Sequence, residues 1–483
     1  MRRPAAAVRA ALAVAVLTGA SALFAMSGAA LVAQAPQADG QSPSASQDVF
    51  AFVRALDEAA TRGVWPGFSP AGVPVALYDG ERTILLRHPN PPPEFSPMAG
   101  RPSVLIAKGR HPGVTGNSTR EIGGVRTATV IATPAQPVER TMLAVLEEVF
   151  HVFWLARHPS FRPNEMARYA YPLDDEENLG YLLAEDEAIA RALEARPVAA
   201  AAGWAAAALG IRRERVARIA EDVRAYETSL EMMEGTANYV ARVSVGEPAS
   251  RTVERLRASR PAEEIRWRFY DSGAALCLLL DRLNPGWQEQ SDRQPAITIL
   301  ELMEAALRGC GATAAAFSKA DAEGFRARAA AGIADLGLRR QRLRTGLFER
   351  RGSRIVIDVE PGVEPLRVQR FDPINLMVLD AGAIAHANYL SLSVPQGSIE
   401  LTNPGFLRGS FGGTVGVTEA AGRHPLSDGV RRLTIAGIEG APTVGGDEGT
   451  VIVEAPGVRL TLRGADAHVE GALIRIVVRR PRP

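Results

Sequence analysis

Glu147, Glu148 and His151 stand within five positions of each other in an otherwise apolar stretch that runs from Met142 to Leu155. Hydrophobic residues occupy nearly every side of this segment, which predicts a helix buried within a domain. Ionised side chains there are prohibitively costly without compensation, so two carboxylates and an imidazole need a partner. Residues 147 and 151 are one helical turn apart and share a face, about 6 Å from each other, with Glu148 one step round. Two ligands at i and i+4 can hold a divalent ion, and a carboxylate at i+1 can take a proton from water bound to it.

With one substitution, this is the HExxH arrangement, and the segment resembles the zinc helix of the gluzincin metallopeptidases. In that family a later glutamate completes the site. Residues 231–240 read Glu-Met-Met-Glu-Gly-Thr-Ala-Asn-Tyr-Val and resemble the Glu-Gly-x-Ala-x-Tyr signature that carries it. The resemblance implies His151 and Glu234 as metal ligands and Glu148 as general base, with Glu147 in place of the first histidine. It also implies metal-assisted hydrolysis of a peptide or protein substrate. A glutamate oxygen reaches about as far as a distal imidazole nitrogen, and zinc accepts carboxylate oxygen at about 2.0–2.2 Å. Two carboxylates and one imidazole neutralise a divalent ion, which weakens acidification of bound water and moves preference from zinc towards manganese or iron. The alternative is a catalytically inactive scaffold of the cell envelope that has lost the ion, with Glu147 or Glu148 paired to an arginine such as Arg266 or Arg268.

Other polar residues are weighed against this site. Glu227, Glu231, Glu234 and Asn238 form a stripe at helical spacing; Glu231 could replace Glu234, although a solvated edge is the plainer reading for Glu227 and Glu231. Asn238 stands where related sites often have an acid orienting a ligand. Tyr239 and Tyr270 are the nearby phenols. Tyr270, just before an expected helix start at Asp271 or Ser272, is the better placed to donate to an oxyanion, with packing as its ordinary role. His158 lies on the stripe of His151 but about 10 Å away, and reads as a surface residue before Pro159. Glu148 and His151 also form one Glu-x-x-His unit of the kind paired in di-iron bundles, but the chain has no second copy. His88, His111, His386 and His424 lack ligand spacing. There is no P-loop lysine in the run 409–416 and no Gly-x-Ser-x-Gly elbow, which disfavours phosphate binding and serine hydrolysis.

Composition narrows the classes further. A net charge of +1, from 55 basic and 54 acidic residues, offers no field for a polyanion, so nucleic acid is not an expected partner. Lys108 and Lys319 are the only lysines, which leaves lysine chemistry almost nowhere to sit. Cys277 and Cys310 make no disulfide framework; a core position for Cys277 and a single bridge between the two are the alternatives. Arg2, Arg3 and Arg9 precede an uncharged stretch from Ala10 to Ala38, the pattern of an export signal. A periplasmic or secreted protein is expected, the alternative being a membrane anchor formed by residues 10–33 if the signal is not cut.

The elements that must position these residues fall into an α+β arrangement. Residues 1–38 are the signal or anchor and 39–47 a linker. Residues 48–138 form a small subdomain with a helix at 49–60 and strands at 73–78, 83–87, 104–108 and 127–133, read as a mixed sheet with Pro91 to Pro93 in an exposed loop. Residues 139–350 are helical, with helices at 139–157, 175–194, 212–243, 272–283, 297–308 and 313–345. Residues 351–483 form an all-β module of sandwich type, with strands at 354–359, 389–394, 432–435, 450–453 and 473–478.

Overall fold

The computed structural model describes residues 49–132, 137–395, 397–403, 411–447 and 449–480, so the expected signal or anchor and its linker lie outside the described residues. The architecture is α+β, and no helix among the described residues is long and apolar enough to cross a membrane.

Helix α1 (Val49–Ala60) leads into six strands: β1 (Val75–Tyr78), β2 (Arg82–Leu86), β3 (Ser96–Met98), β4 (Arg101–Lys108), β5 (Ser118–Ile122) and β6 (Val125–Ile131). Their order in the sheet is β3-β4-β2-β1-β6-β5, with β1 parallel to β6 and antiparallel to β2. Alternation along the strands decides which face is used. Val75, Leu77, Ile84, Leu86 and Val130 point to the main core with the helices, whereas Ala76, Leu85 and Ile122 close a smaller core on the other face. Strands β3 and β5 were not expected; each is short, and β3 contains Pro97.

The helical part consists of α2 (Val138–Arg157), α3 (Glu176–Glu194), α4 (Val198–Val216), α5 (Glu221–Leu230), α6 (Thr236–Val245), α7 (Ala249–Arg257), α8 (Ile265–Leu283), α9 (Trp287–Arg293), α10 (Ile299–Cys310) and α11 (Lys319–Glu349). Local signals fix several ends. Asp175 accepts from the Asn178 amide at the start of α3, Thr298 and Glu301 form a capping box on α10, and Ser318 and Asp321 form another on α11. The expected helix 212–243 is instead the end of α4, a break at 217–220 and a continuous run through α5, a π-helical turn (Glu231–Gly235) and α6. Neither glycine nor proline marks that break; Ala220 turns the chain with extended backbone, φ −63° and ψ 153°. Helix α8 begins seven residues before the expected 272, which places Tyr270 and Asp271 inside it. Cys277 is buried in this helix and Cys310 is exposed; both are free thiols, so the bridge is not formed.

From Ser353 onward a seven-stranded and a six-stranded sheet share one core, Ile355, Ile357, Leu433 and Ile476 from the first meeting Leu390, Leu392, Ile399 and Leu460 from the second. A short 3-10 helix (Glu165–Ala170) meets this β module. Arg168 donates to the Pro373 carbonyl, and the Tyr169 ring packs edge-on against Phe371 with centroids 5.5 Å apart.

Candidate metal centre

Helix α2 lies between the sheet and α6, anchored by its aromatic face. Trp65, Phe68, Phe150, Phe153 and Trp154 contact one another with ring centroids 5.1–5.7 Å apart, which fixes the rotation of the helix about its axis. The adjoining side of α2 carries Glu147, Glu148 and His151, and all three are buried.

Glu234 comes to meet them on the π-helical turn. Such a turn carries an extra residue and re-aims the side chains after it. It also lies against α8 at unusually short range: a Cβ placed on Gly235 would sit 2.6 Å from the Gly273 Cα, and one on Gly273 would sit 2.8 Å from the Glu231 carbonyl oxygen. Only two glycines allow this crossing. The result is a His151 Nε2 to Glu234 Oε2 distance of 3.1 Å. One donor atom each from Glu147, His151 and Glu234 lies within 4.8 Å of the others. Tetrahedral ligation at about 2.0–2.2 Å sets donor atoms roughly 3.3–3.6 Å apart, so small side-chain adjustments would close the set. Unspent lone pairs point the same way: Glu147 Oε1, Glu148 Oε2 and His151 Nδ1 are buried without a hydrogen-bond partner. This buried Glu-His-Glu group could hold a metal ion.

Its electrostatics are polarised. Burial, and then the neighbouring Glu234, raise the Glu147 carboxyl to about 7 against the pull of His151 and Arg242. Burial and the charges of Glu147 and Glu234 raise Glu148 well above the carboxylate range. Burial also opposes charge on Glu234, but His151, Arg266 and a hydrogen bond from Tyr270 together hold it below the ordinary value. For His151, burial favours the neutral ring, yet Glu234 and Glu147 outweigh it and raise its basicity.

The arginines go elsewhere than expected. Arg266 donates from Nη2 to Glu234 Oε1 at 2.9 Å and binds Glu165 with its other nitrogen, rather than pairing with Glu147 or Glu148. Arg268 faces Glu185 and Asp186 at 3.1 and 2.8 Å. Glu231, the alternative ligand, is taken up by Arg212 at 2.5 and 2.7 Å and by Ser272, and Glu227 is bound to Arg215 at 2.6 and 2.7 Å. Both glutamates are buried, so the solvated edge expected for them is corrected to a buried ion-pair network. Tyr270 does reach the site, but its hydroxyl serves Glu234 and accepts from Arg266 at 3.3 Å; Tyr239 instead donates to Asp281 at 2.9 Å.

His158 is also corrected. It is fully buried, stacked on Trp154 with centroids 3.6 Å apart, and bound to the Pro295 carbonyl at 3.1 Å. Asn238 hydrogen-bonds Glu147 rather than His151 while accepting from Arg242, a cation not anticipated from the sequence. The signal was present: Arg242 is the next position on the stripe that runs through Glu231, Glu234 and Asn238.

Comparison with protein-family models, with characterised proteins and with solved structures gives no match. The chemistry of the centre rests on its own geometry.

Proposed function

We propose that this protein is a metal-dependent amide hydrolase of gluzincin type with an altered ligand set, Glu147, His151 and Glu234, and with Glu148 as general base. The convergence of three donor atoms within 4.8 Å, brought from two helices, carries this reading. Charge supports it as well. Glu147, Glu148 and Glu234 contribute three negative charges, which a divalent ion and Arg266 would balance, as a buried site requires. An ion held there would supply carbonyl polarisation and a more acidic water. In this reading Glu148, one position along from the first ligand, would take the proton from that water and return it to the leaving amine. Zinc is the expected ion, and the oxygen-rich set favours manganese or iron more than two histidines would. Export to the periplasm or medium belongs to the same proposal, on the pattern of residues 1–38.

A specific observation supports a second reading. Arg266 already neutralises Glu234, and Glu147, His151 and Glu234 are only 4%, 4% and 1% exposed. With Glu147 and Glu148 protonated, the site is neutral without an ion and the chain is a peptidase-like scaffold. Elemental analysis of protein purified without chelator separates the two readings. The hydrolase reading expects one transition-metal ion per chain and peptide cleavage that Glu148→Gln abolishes with the ion retained. Absence of stoichiometric metal after incubation with zinc, manganese or iron overturns it.

A further inference from the structure

A cavity of about 470 Å³ lies between α3, α7, α8 and α11, within the roughly 300–1,000 Å³ range of small-molecule sites. None of the metal-centre residues lines it. Its walls are largely aliphatic: Leu179, Leu182, Leu256, Ile265 and Ala329. The space exists because α11 presents alanine and glycine there. A Cβ added at Gly332 would meet nothing within 4 Å. Protein interiors are otherwise close-packed, so an aliphatic hollow of this size is a place where a ligand can recover lost contacts.

The charged groups around it do not cancel. Three carboxylates line the cavity, and each is engaged by arginine. Asp186 faces Arg268 at 2.8 Å, Asp271 binds Arg260 at 2.6 Å and Arg255 at 3.1 Å, and Asp335 binds Arg339. Arg328 also lines the cavity, is exposed, and among the described residues has no carboxylate within ion-pair distance. One guanidinium is thus left over beside an aliphatic hollow. The geometry points to a binding site for a single-chain aliphatic carboxylate, its head on Arg328 and its chain against the leucines of α3 and α7. A carboxylate matches the guanidinium fork in two parallel hydrogen bonds, and an aliphatic tail suits the leucine, isoleucine and alanine surfaces that lie between the paired charges.

Calorimetric titration of the full-length protein with decanoate, below its micelle-forming concentration, tests this site. Saturable one-to-one binding is expected. Arg328→Gln, at an exposed position that leaves the fold intact, should weaken decanoate at least about 10-fold while leaving the uncharged analogue decanol unchanged. Gly332→Leu should fill the hollow and abolish binding of both probes, with a melting temperature no lower than that of the parent. Should Gly332→Leu unfold the chain, Arg328→Glu tests the head group in its place, since a carboxylate there repels decanoate and should abolish its binding while sparing decanol. The proposal is overturned if decanoate does not saturate, if decanol binds as tightly as decanoate, or if the Arg328 and Gly332 variants leave decanoate affinity unchanged.

Discussion

Replacing Gly273 by alanine should damage both the fold and the candidate metal centre. The added Cβ would stand 2.7 Å from the Gly235 Cα, 2.8 Å from the Glu231 carbonyl oxygen and 3.1 Å from the Glu231 Cα. Carbon atoms prefer about 3.5–4.0 Å, so the shortfall approaches ~1 Å, and all three obstacles are backbone that cannot swing aside. Relief requires α8 to move away from the π-helical turn or the turn to unwind. Overpacking of this kind costs about 1–3 kcal/mol, from which the better helix propensity of alanine recovers at most ~1 kcal/mol. A net loss of about 1–2 kcal/mol is expected in denaturant unfolding followed by circular dichroism. The same movement carries Glu234 away from His151, now 3.1 Å apart, and metal ligation tolerates only about ±0.2 Å, so affinity for zinc should fall at least about 10-fold. Gly337→Ala on α11, where a Cβ meets nothing within 4 Å, is the control and should be neutral or stabilising. If Gly273→Ala unfolds at the parental denaturant concentration and binds zinc equally well, the glycine crossing does not position the site.

Arg266→Met leaves the Glu234 carboxylate in the core without its cation, and breaking a buried pair this way costs about 3–5 kcal/mol; a loss under ~1 kcal/mol in the same unfolding assay would show that Arg266 is not what neutralises Glu234. Metal binding should release protons, because burial keeps Glu147 protonated up to about 7 and Glu148 protonated well beyond the carboxylate range. Glu147 and the more basic His151 both lose a proton on ligation, so calorimetry in buffers of differing ionisation enthalpy should give at least about one proton more per ion at pH 6 than at pH 8, and equal release at the two values would contradict the proposed ligand set. In the β module, burial pushes the His386 imidazole down to about 3, while the unfolded chain takes the proton near 6.5. The stability that the neutral ring permits is complete above about 6.5 and is lost as the pH falls from there towards 3, by up to ~5 kcal/mol. His386→Gln should flatten that slope, and a mutant with the parental acid profile would mean another group controls it.

The chain alone determined the buried helix expected at 139–157 and the facing of Glu147, Glu148 and His151, because helical period and hydrophobicity are local properties. Glu234 was legible through the resemblance of residues 231–240 to the Glu-Gly-x-Ala-x-Tyr signature, whose small residues suit close helix packing, with Glu231 as its alternative. The β texture after residue 351 followed from alternation in the same local way. Tertiary structure decided the charge partners. Arg266, Arg212 and Glu165 reach the site from other elements, and nothing in local spacing says that Arg266 prefers Glu234 to Glu147, or that Arg212 removes Glu231 from contention. His158 looked exposed because a proline follows it, but the loop after α2 folds it onto Trp154. Helix α4 was missed because its alanines surround the axis and leave no apolar stripe to read. The π-helical turn that aims Glu234 has no period of its own. It is held by the contact between Gly235 and Gly273, 38 positions apart in sequence, and by the Arg212 and Ser272 bonds to Glu231. Burial makes a charge demand a partner, and which partner answers depends on packing between elements distant in the chain.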